Sequence, residues 1–196
     1  MFNLFEFGID FFEGLTAIDL AIVERAAQER CRDCGGPPHR GDYPRKPRGG
    51  EIAAMAEGFD RRFSLCCGRE GCRHRATPPS VRFLGRRVYV GALVIVAAAV
   101  ALTAMAAAAA VRATGVPART TRRWLRWWRG PFTTSGVFAE LCARLVPAPE
   151  RRRLPVSLLE RLAEDRTAAV AKLLGWLAPL TTASGPGGSR WVRGVM

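Results

Sequence analysis

Two short stretches rich in cysteine decide the fold of this chain: CRDCGG at residues 31–36 and CCGREGC at residues 66–72. Two residues separate Cys31 from Cys34, which allows a tight turn that aims both sulfur atoms at one ion. Four residues separate Cys67 from Cys72, and both spacings are typical of zinc ligands. We therefore predict that these four cysteines hold Zn²⁺ in a structural site, because a closed set of four ligands leaves no position for a substrate.

The choice of ligands leaves alternatives, because the loop between the two stretches is longer than in most zinc ribbons. Cys66 could replace its neighbour, and His39 or His74 could replace a cysteine, although either histidine also fits an ordinary loop position. Unlinked buried thiols are the competing interpretation of the whole set. Cys142 lies alone on an apolar helical face and is interpreted as a core residue.

The beginning of the chain does not resemble a secretory signal. Residues 1–14 are aromatic and acidic, with neither a basic leader nor a small-residue cleavage site. We therefore expect a cytoplasmic protein. Disulfides are rare in that reducing compartment, so metal binding explains the cysteines better than disulfides do.

The charge of the chain predicts an acidic partner. Its 196 residues carry a net charge of +13 at pH 7, and apart from Lys46 and Lys172 the basic residues are arginines. Nucleic acid is the first class of partner that this balance favours, and an anionic membrane surface is the second.

Residues 88–111 form an uncharged stretch that is long enough to span a bilayer. Eleven of these residues are alanines, which contribute little to insertion, and arginines flank both ends, which gives little preferred orientation. A single-pass protein of the inner membrane, with a cytoplasmic zinc module, is therefore the alternative to a DNA-binding protein.

The end of this stretch predicts a helix-turn-helix. Residues 106–113 have the composition of a helix, and Gly115 can adopt the left-handed conformation that a turn requires. Pro117 suits the first turn of a second helix, which extends to Arg129. Two helices joined by a short glycine-containing turn are typical of DNA-binding proteins.

The second helix has two distinct faces when its residues are placed at intervals of 100°. One face is expected to pack inward and carries Thr121, Trp124, Leu125 and Trp128. The other face carries arginines without any acidic residue, whereas an ordinary solvated face mixes signs. Arginines can bind guanine or neutralise phosphates in the major groove, although an interfacial membrane helix shows a similar composition. The predicted DNA-binding residues are Arg119, Arg122, Arg123, Arg126 and Arg129.

Capping residues predict further helices on both sides of this unit. A capping box formed by Thr16 and Asp19, with Asp in place of the usual Glu, would open a helix that ends near Arg30. Thr134 or Ser135 can cap a helix that ends near Leu145, and Ser157 can cap a leucine-rich helix that Asp165 divides into two.

Residues 62–67 and 80–89 are predicted as strands, because both stretches carry aromatic or β-branched residues and are bounded by glycine or proline. The predicted fold is therefore mostly α-helical with a small β zinc ribbon, and a three-helix unit containing the helix-turn-helix precedes the C-terminal helices. The predicted segments are an N-terminal helix and leader (1–30), the zinc ribbon (31–87), the helix-turn-helix (88–130), a C-terminal helical segment (131–180) and a disordered tail (181–196).

These motifs, taken in order, resemble the N-terminal region of insertion-sequence transposases. The resemblance rests on Cys31-x2-Cys34, on RFSLCC at residues 62–67 with Cys72, and on TPPSVRFLGRRVY at residues 77–89, followed by the helix-turn-helix. It covers residues 28–130, in the order of elements more than in individual letters. It implies zinc at the four cysteines and contact of residues 119–129 with DNA.

The chain departs from that family in its long loop, in its doubled cysteine and in the few residues that follow Gly130, which do not suffice for the catalytic domain of a transposase. The resemblance therefore implies a transposon-associated regulator, or a transposase remnant, of a bacterial mobile element. A second copy of the chain or a transposase would be its protein partner.

The sequence contains no glycine-rich phosphate loop, no nucleophile elbow and no histidine–glutamate zinc motif. Its two histidines both lie near cysteines, which leaves little general acid–base machinery. We therefore expect a protein that is not an enzyme. A protein-interaction adaptor, in which the charge only confers solubility, is the third hypothesis.

Overall fold

The computed structural model describes residues 7–45, 57–84, 89–103 and 107–181, and helices and short strands alternate along these ranges. The helices are α1 (Ile9–Ala27), α2 (Gly91–Thr103), α3 (Ala107–Thr114), α4 (Ala118–Arg129), α5 (Gly136–Arg144), α6 (Val156–Leu162) and α7 (Arg166–Leu177). The strands are β1 (Pro38–Arg40), β2 (Tyr43–Pro44), β3 (Arg61–Arg62), β4 (Leu65–Cys67), β5 (Arg75–Ala76), β6 (Phe83–Leu84) and β7 (Tyr89–Val90). The chain is thus mainly helical with small antiparallel sheets.

The cysteine-containing part of the chain forms two small antiparallel sheets. Strand β4 lies between β1 and β5, while β2 pairs with β3. The stretch at residues 62–67, predicted as one strand, is divided between the two sheets. The division falls at Ser64, whose N–H donates to the carboxylate of Asp42 at 3.0 Å instead of to a neighbouring strand.

The uncharged stretch forms the centre of the helical part. Every residue of α2 from Gly91 to Val100 is buried, and α2 packs against α3, α4 and α7. Small alanine side chains allow such close packing on all sides, which accounts for the composition that also suggested a membrane span. Among the helices of the described ranges, none combines sufficient length with sufficient apolar character to cross a bilayer.

A short turn joins α3 to α4 where the sequence predicts it. Gly115 has a φ of +66°, and its N–H donates to the carbonyl of Val111 at 2.8 Å, which closes the end of α3. Val116 is fully buried, and Pro117 directly precedes α4. Because α2, α3 and α4 also contact one another, these helices form a three-helix unit.

One predicted cap and the predicted division at Asp165 are confirmed, whereas two predicted caps are wrong. Ser135 accepts a hydrogen bond from the Phe138 N–H at the start of α5, and Asp165 caps α7 and separates it from α6. Ser157 instead lies inside α6 and donates its hydroxyl hydrogen to the carbonyl of Glu150. Thr16 lies inside α1, which begins at Ile9, and donates to the carbonyl of Phe12.

The boundary of the predicted tail is also shifted. Thr181 is buried in a short 3₁₀ helix (Ala178–Thr181), and its hydroxyl oxygen accepts a hydrogen bond from the N–H of Ser80 at 2.8 Å. This contact makes Thr181 part of the folded chain. The rest of the predicted tail, from residue 182, lies outside the described residues, as do residues 85–88 of the predicted strand at 80–89.

A buried ion pair fixes α1 against the segment that leads into β6. The side chain of Arg82 is 0% exposed and that of Asp19 is 1% exposed, and the Arg82 Nε donates to the Asp19 carboxylate at 2.8 Å. The other guanidinium nitrogens donate to the carbonyls of Phe59 and Arg61. Since every charged atom of the pair has a partner, the desolvation cost of burial is offset and the two segments are held in one arrangement.

Candidate metal centre and arginine face

Four cysteines from the two predicted stretches come together in one cluster. The sulfur atoms of Cys31, Cys34, Cys67 and Cys72 all lie within 4.8 Å of one another. The Sγ atoms of Cys34 and Cys67 are 3.4 Å apart, and those of Cys31 and Cys72 are 3.8 Å apart. Zn–S bonds of about 2.3 Å in a tetrahedron place the sulfurs about 3.8 Å apart. The cluster therefore has the composition and the size to hold one metal ion.

The first pair of cysteines lies in a closed turn before β1. The N–H of Cys31 donates to the carbonyl of Gly36 at 3.0 Å, and the N–H of Gly35 donates back to the Cys31 carbonyl at 2.8 Å. A β-carbon at Gly36 would lie 2.9 Å from the Sγ of Cys67 and 3.3 Å from that of Cys34. A side chain at this position would therefore displace two of the four sulfurs.

The second pair begins at the end of β4 and is connected to the first by Arg69. The backbone N–H of Arg69 donates to the Sγ of Cys67 at 3.4 Å, and its guanidinium donates to the carbonyl of Cys34 at 2.7 Å. The N–H of Cys72 donates to the Arg69 carbonyl at 3.2 Å, which tightens the turn between the two cysteines. One residue thus holds both halves of the cluster.

The thiols of the cluster have divergent pKa values because backbone N–H groups, neighbouring thiols and burial act on them to different extents. The backbone N–H of Gly36, with help from neighbouring thiols, lowers the pKa of Cys34 to about 7. The backbone N–H of His74 lowers the pKa of Cys72, but hydrogen bonding with Cys34 and burial outweigh it and raise that pKa to about 12. A bound cation would replace the protons that the cluster otherwise retains, so metal binding here releases protons.

The three alternative ligands lie outside the cluster. Adjacent strand residues point to opposite faces, so Cys66 turns away from Cys67, and its Sγ lies 3.7 Å from the carbonyl of Arg73. His39 is the cross-strand neighbour of Cys66 and shares that other face. The Nδ1 of His74 lies 2.6 Å from the carboxylate of Asp33, beside the cluster. Among the described residues, none of the three belongs to the group whose ligand atoms lie close enough together to share one ion.

The predicted arginine face is present on α4, with four exposed members. Arg119, Arg122, Arg126 and Arg129 are exposed and, together with Leu125, line a shallow depression. None of the four forms an ion pair with a residue that the structure describes, and no acidic residue occurs between residues 107 and 129. This surface, the arginine face, is therefore an uncompensated patch of positive charge.

Arg123 occupies a different environment from the other four. Its side chain is half-buried, it donates a hydrogen bond to the hydroxyl of Tyr89, and its guanidinium lies 5.4 Å from the centre of the Tyr89 ring. These contacts direct Arg123 toward the protein. We therefore count it with the inner edge of α4 and not with the arginine face.

The inner side of α4 is more aromatic than the sequence predicts. Trp124 and Trp128 are fully buried as expected, and Trp127, which the predicted inner face did not include, is only 3% exposed and packs against Phe132. Leu125, which was expected to face inward, is half-buried and lines the outer depression. The tryptophans anchor α4 in the core and leave its opposite side to the arginines.

Comparison of the chain with family models, with curated proteins and with solved structures finds no match. The cysteine cluster and the arginine face are therefore the two features that bear on its function.

Proposed function

We propose that this protein binds DNA through the arginine face of α4, and that a structural Zn²⁺ ion holds the small sheets beside the helical part. The observation that carries the proposal is the set of four exposed arginines without ion-pair partners in the described residues. At 100° per residue they fall within an arc of about 80°, and they extend about 15 Å along the helix. A charged stripe of this size suits the sugar–phosphate backbone or the major groove of DNA.

The composition of this face favours binding that tolerates many sequences. Adenine is read in the major groove mainly by asparagine or glutamine, and the chain contains only Asn3 and Gln28, neither of which lies on α4. Arginine can contact guanine or phosphates. We therefore propose binding dominated by phosphates, with a modest preference for G·C-rich duplexes.

The buried tryptophans favour DNA over an anionic membrane surface as the partner. An interfacial helix needs aromatic side chains on the side that enters the lipid. The three tryptophans of α4 are instead packed in the protein core, and the exposed side offers Leu125 alone as an apolar contact. The arginine face can therefore attract phosphates but has little apolar surface to insert.

Zinc is the proposed metal because four thiolates in a closed tetrahedral set are typical of structural zinc sites. The metal would join the turn before β1 to the turn after β4 and would stabilise strands too short to be stable alone. Elemental analysis of the purified protein should find one zinc ion per chain. Cys31→Ser should lose that zinc, whereas a zinc content near zero in both proteins would refute the assignment.

A transposon-associated role remains part of the proposal. It is supported by the order of a four-cysteine cluster, short strands and two helices joined by a turn, which is the order in the N-terminal region of insertion-sequence transposases. A neighbouring transposase gene or flanking inverted terminal repeats would support this role. Their absence from every genomic copy would contradict it.

DNA binding can be tested with a charge-matched pair of variants. Arg122→Ala/Arg126→Ala removes two arginines from the arginine face, while Arg25→Ala/Arg152→Ala removes two exposed arginines located elsewhere. Fluorescence anisotropy with a labelled duplex should show affinity at least tenfold weaker for the first variant and nearly unchanged for the second. Equal affinities of the two variants would show that DNA binding depends on the net charge of the protein and not on the arginine face. The hypothesis of a protein-interaction adaptor would then be favoured.

A further inference from the structure

A cavity of about 450 Å³ lies beside the cysteine cluster, between the end of α1 and one face of the three-stranded sheet formed by β1, β4 and β5. Leu65 and Ala76 are cross-strand neighbours on that face, and Ala26 of α1 and Pro78 complete an apolar floor. The cavity has the size that small-molecule sites usually have, and its floor is apolar as theirs are.

Two acidic groups at the rim of the cavity already have basic neighbours. Glu29 forms an ion pair with Arg32 at 3.9 Å, and Asp33 lies 2.6 Å from the imidazole of His74. Both pairs line the rim, so neither of the acidic groups needs a cation from a ligand.

Arg75 and Arg30 at the rim form no ion pair among the described residues, but they differ in whether they are free to contact a ligand. The guanidinium of Arg75 donates to the carbonyl of Gly41 and lies over the ring of Tyr43, so it is engaged on the opposite side of the sheet. Arg30 is exposed and forms no hydrogen bond or ion pair with its side chain among the described residues. Arg30 is therefore the basic side chain at the rim that is free to contact a ligand, and Cys31 and Cys67 of the cysteine cluster also line the cavity.

We propose that this cavity binds a small organic anion with an apolar body, such as an aromatic carboxylate or sulfonate. The apolar body would cover Leu65, Ala76 and Pro78, and the anionic group would be neutralised by Arg30. Pairing the charge at the rim avoids burial of an ion in the floor, which would be costly. This site is separate from the arginine face, and the proposal does not depend on DNA binding.

The proposal can be tested on the zinc-loaded full chain with two dyes that share one apolar body. 8-Anilinonaphthalene-1-sulfonate carries a negative charge, and N-phenyl-1-naphthylamine lacks it. Both should bind the wild type saturably in a fluorescence titration. Arg30→Ala should weaken binding of the sulfonate about tenfold and leave binding of the neutral dye unchanged, while Arg25→Ala, a matched change on α1, should alter neither.

A second pair of variants tests the location of the site. Ala26→Phe and Ala76→Leu each place a larger side chain in the cavity, from different elements, and each should weaken binding of both dyes at least tenfold. Far-ultraviolet circular dichroism and zinc content identify any variant that fails to fold. If one of the two variants fails to fold, the other is used to test the location of the site. Sulfonate binding that is equal in Arg30→Ala and Arg25→Ala, or unaffected by the folded filling variant, would overturn the proposal.

Discussion

The arginines of this protein occupy two contrasting environments. Around α1 and the small sheets, some arginines are built into the fold: Arg82 is buried against Asp19, and Arg69 connects the two halves of the cysteine cluster. On α4, four arginines are exposed and lack ion-pair partners among the described residues. Arginine thus stabilises the fold in one region and is available to a ligand in the other. Which role an arginine has depends on whether hydrogen-bond acceptors surround its guanidinium.

The largest expected effect is that of removing the metal. The small sheets depend on the metal for folding, whereas the arginine face has no contact with the metal site. Binding of structural zinc contributes on the order of 10 kcal/mol in small zinc domains. Cys34→Ser, or removal of zinc by a chelator, should therefore unfold the small sheets, which hydrogen exchange of residues 31–76 would show. Retained protection of these amides without metal would contradict a folding role for the site.

The next largest effect concerns the buried ion pair. Asp19→Ala leaves Arg82 charged and without its carboxylate in the interior, and such losses cost about 3–5 kcal/mol. Urea denaturation should show this decrease in the free energy of unfolding. Glu24→Ala removes an exposed acidic residue from the same helix and should change stability by less than about 0.5 kcal/mol. Similar values for both variants would show that the pair contributes little.

A smaller effect, on zinc affinity, is expected from substituting Gly36, which lies against two sulfurs of the cluster. Gly36→Ala would place a β-carbon 2.9 Å from the Sγ of Cys67, so the cluster should bind zinc about tenfold more weakly in competition with a chromophoric chelator. Gly175→Ala on α7 meets no atom within 4 Å and serves as the control. It should leave zinc affinity unchanged, and an equally strong effect there would exclude a local explanation.

The smallest effect separates two neighbouring arginines of α4. Arg123→Ala loses the contacts with Tyr89 and should lower the free energy of unfolding by about 1 kcal/mol. Arg122→Ala should leave stability nearly unchanged and weaken DNA binding more than Arg123→Ala does. Thermal denaturation and anisotropy on both variants measure the two effects, and the reverse pattern would place Arg123 in the arginine face.

Local chemistry could be read from the sequence where a few neighbouring residues decide the structure. The spacing of the cysteines predicted the four that cluster, and the choice of Cys67 over Cys66 agrees with the alternation of side chains along β4. The turn at Gly115, the cap at Ser135 and the division at Asp165 were also predicted, because each depends only on residues within the same turn.

Features that depend on distant parts of the chain could not be predicted in this way. Asp19 was interpreted as part of a helix cap, but its partner is Arg82, which no local pattern identifies. The inward direction of Arg123 depends on Tyr89, and the burial of Trp127 depends on packing against Phe132. Helical periodicity locates the two faces of α4 but not their edges, which the packing of neighbouring elements determines.

The most direct test of the account is the salt dependence of DNA binding. Each phosphate that a protein neutralises contributes about 0.9 to the slope of log K against log salt concentration. Anisotropy titrations between low and moderate salt should give a slope about 1.8 smaller in magnitude for Arg122→Ala/Arg126→Ala than for the wild type. The slope of Arg25→Ala/Arg152→Ala should match the wild type, and identical slopes for all three proteins would contradict DNA binding through the arginine face.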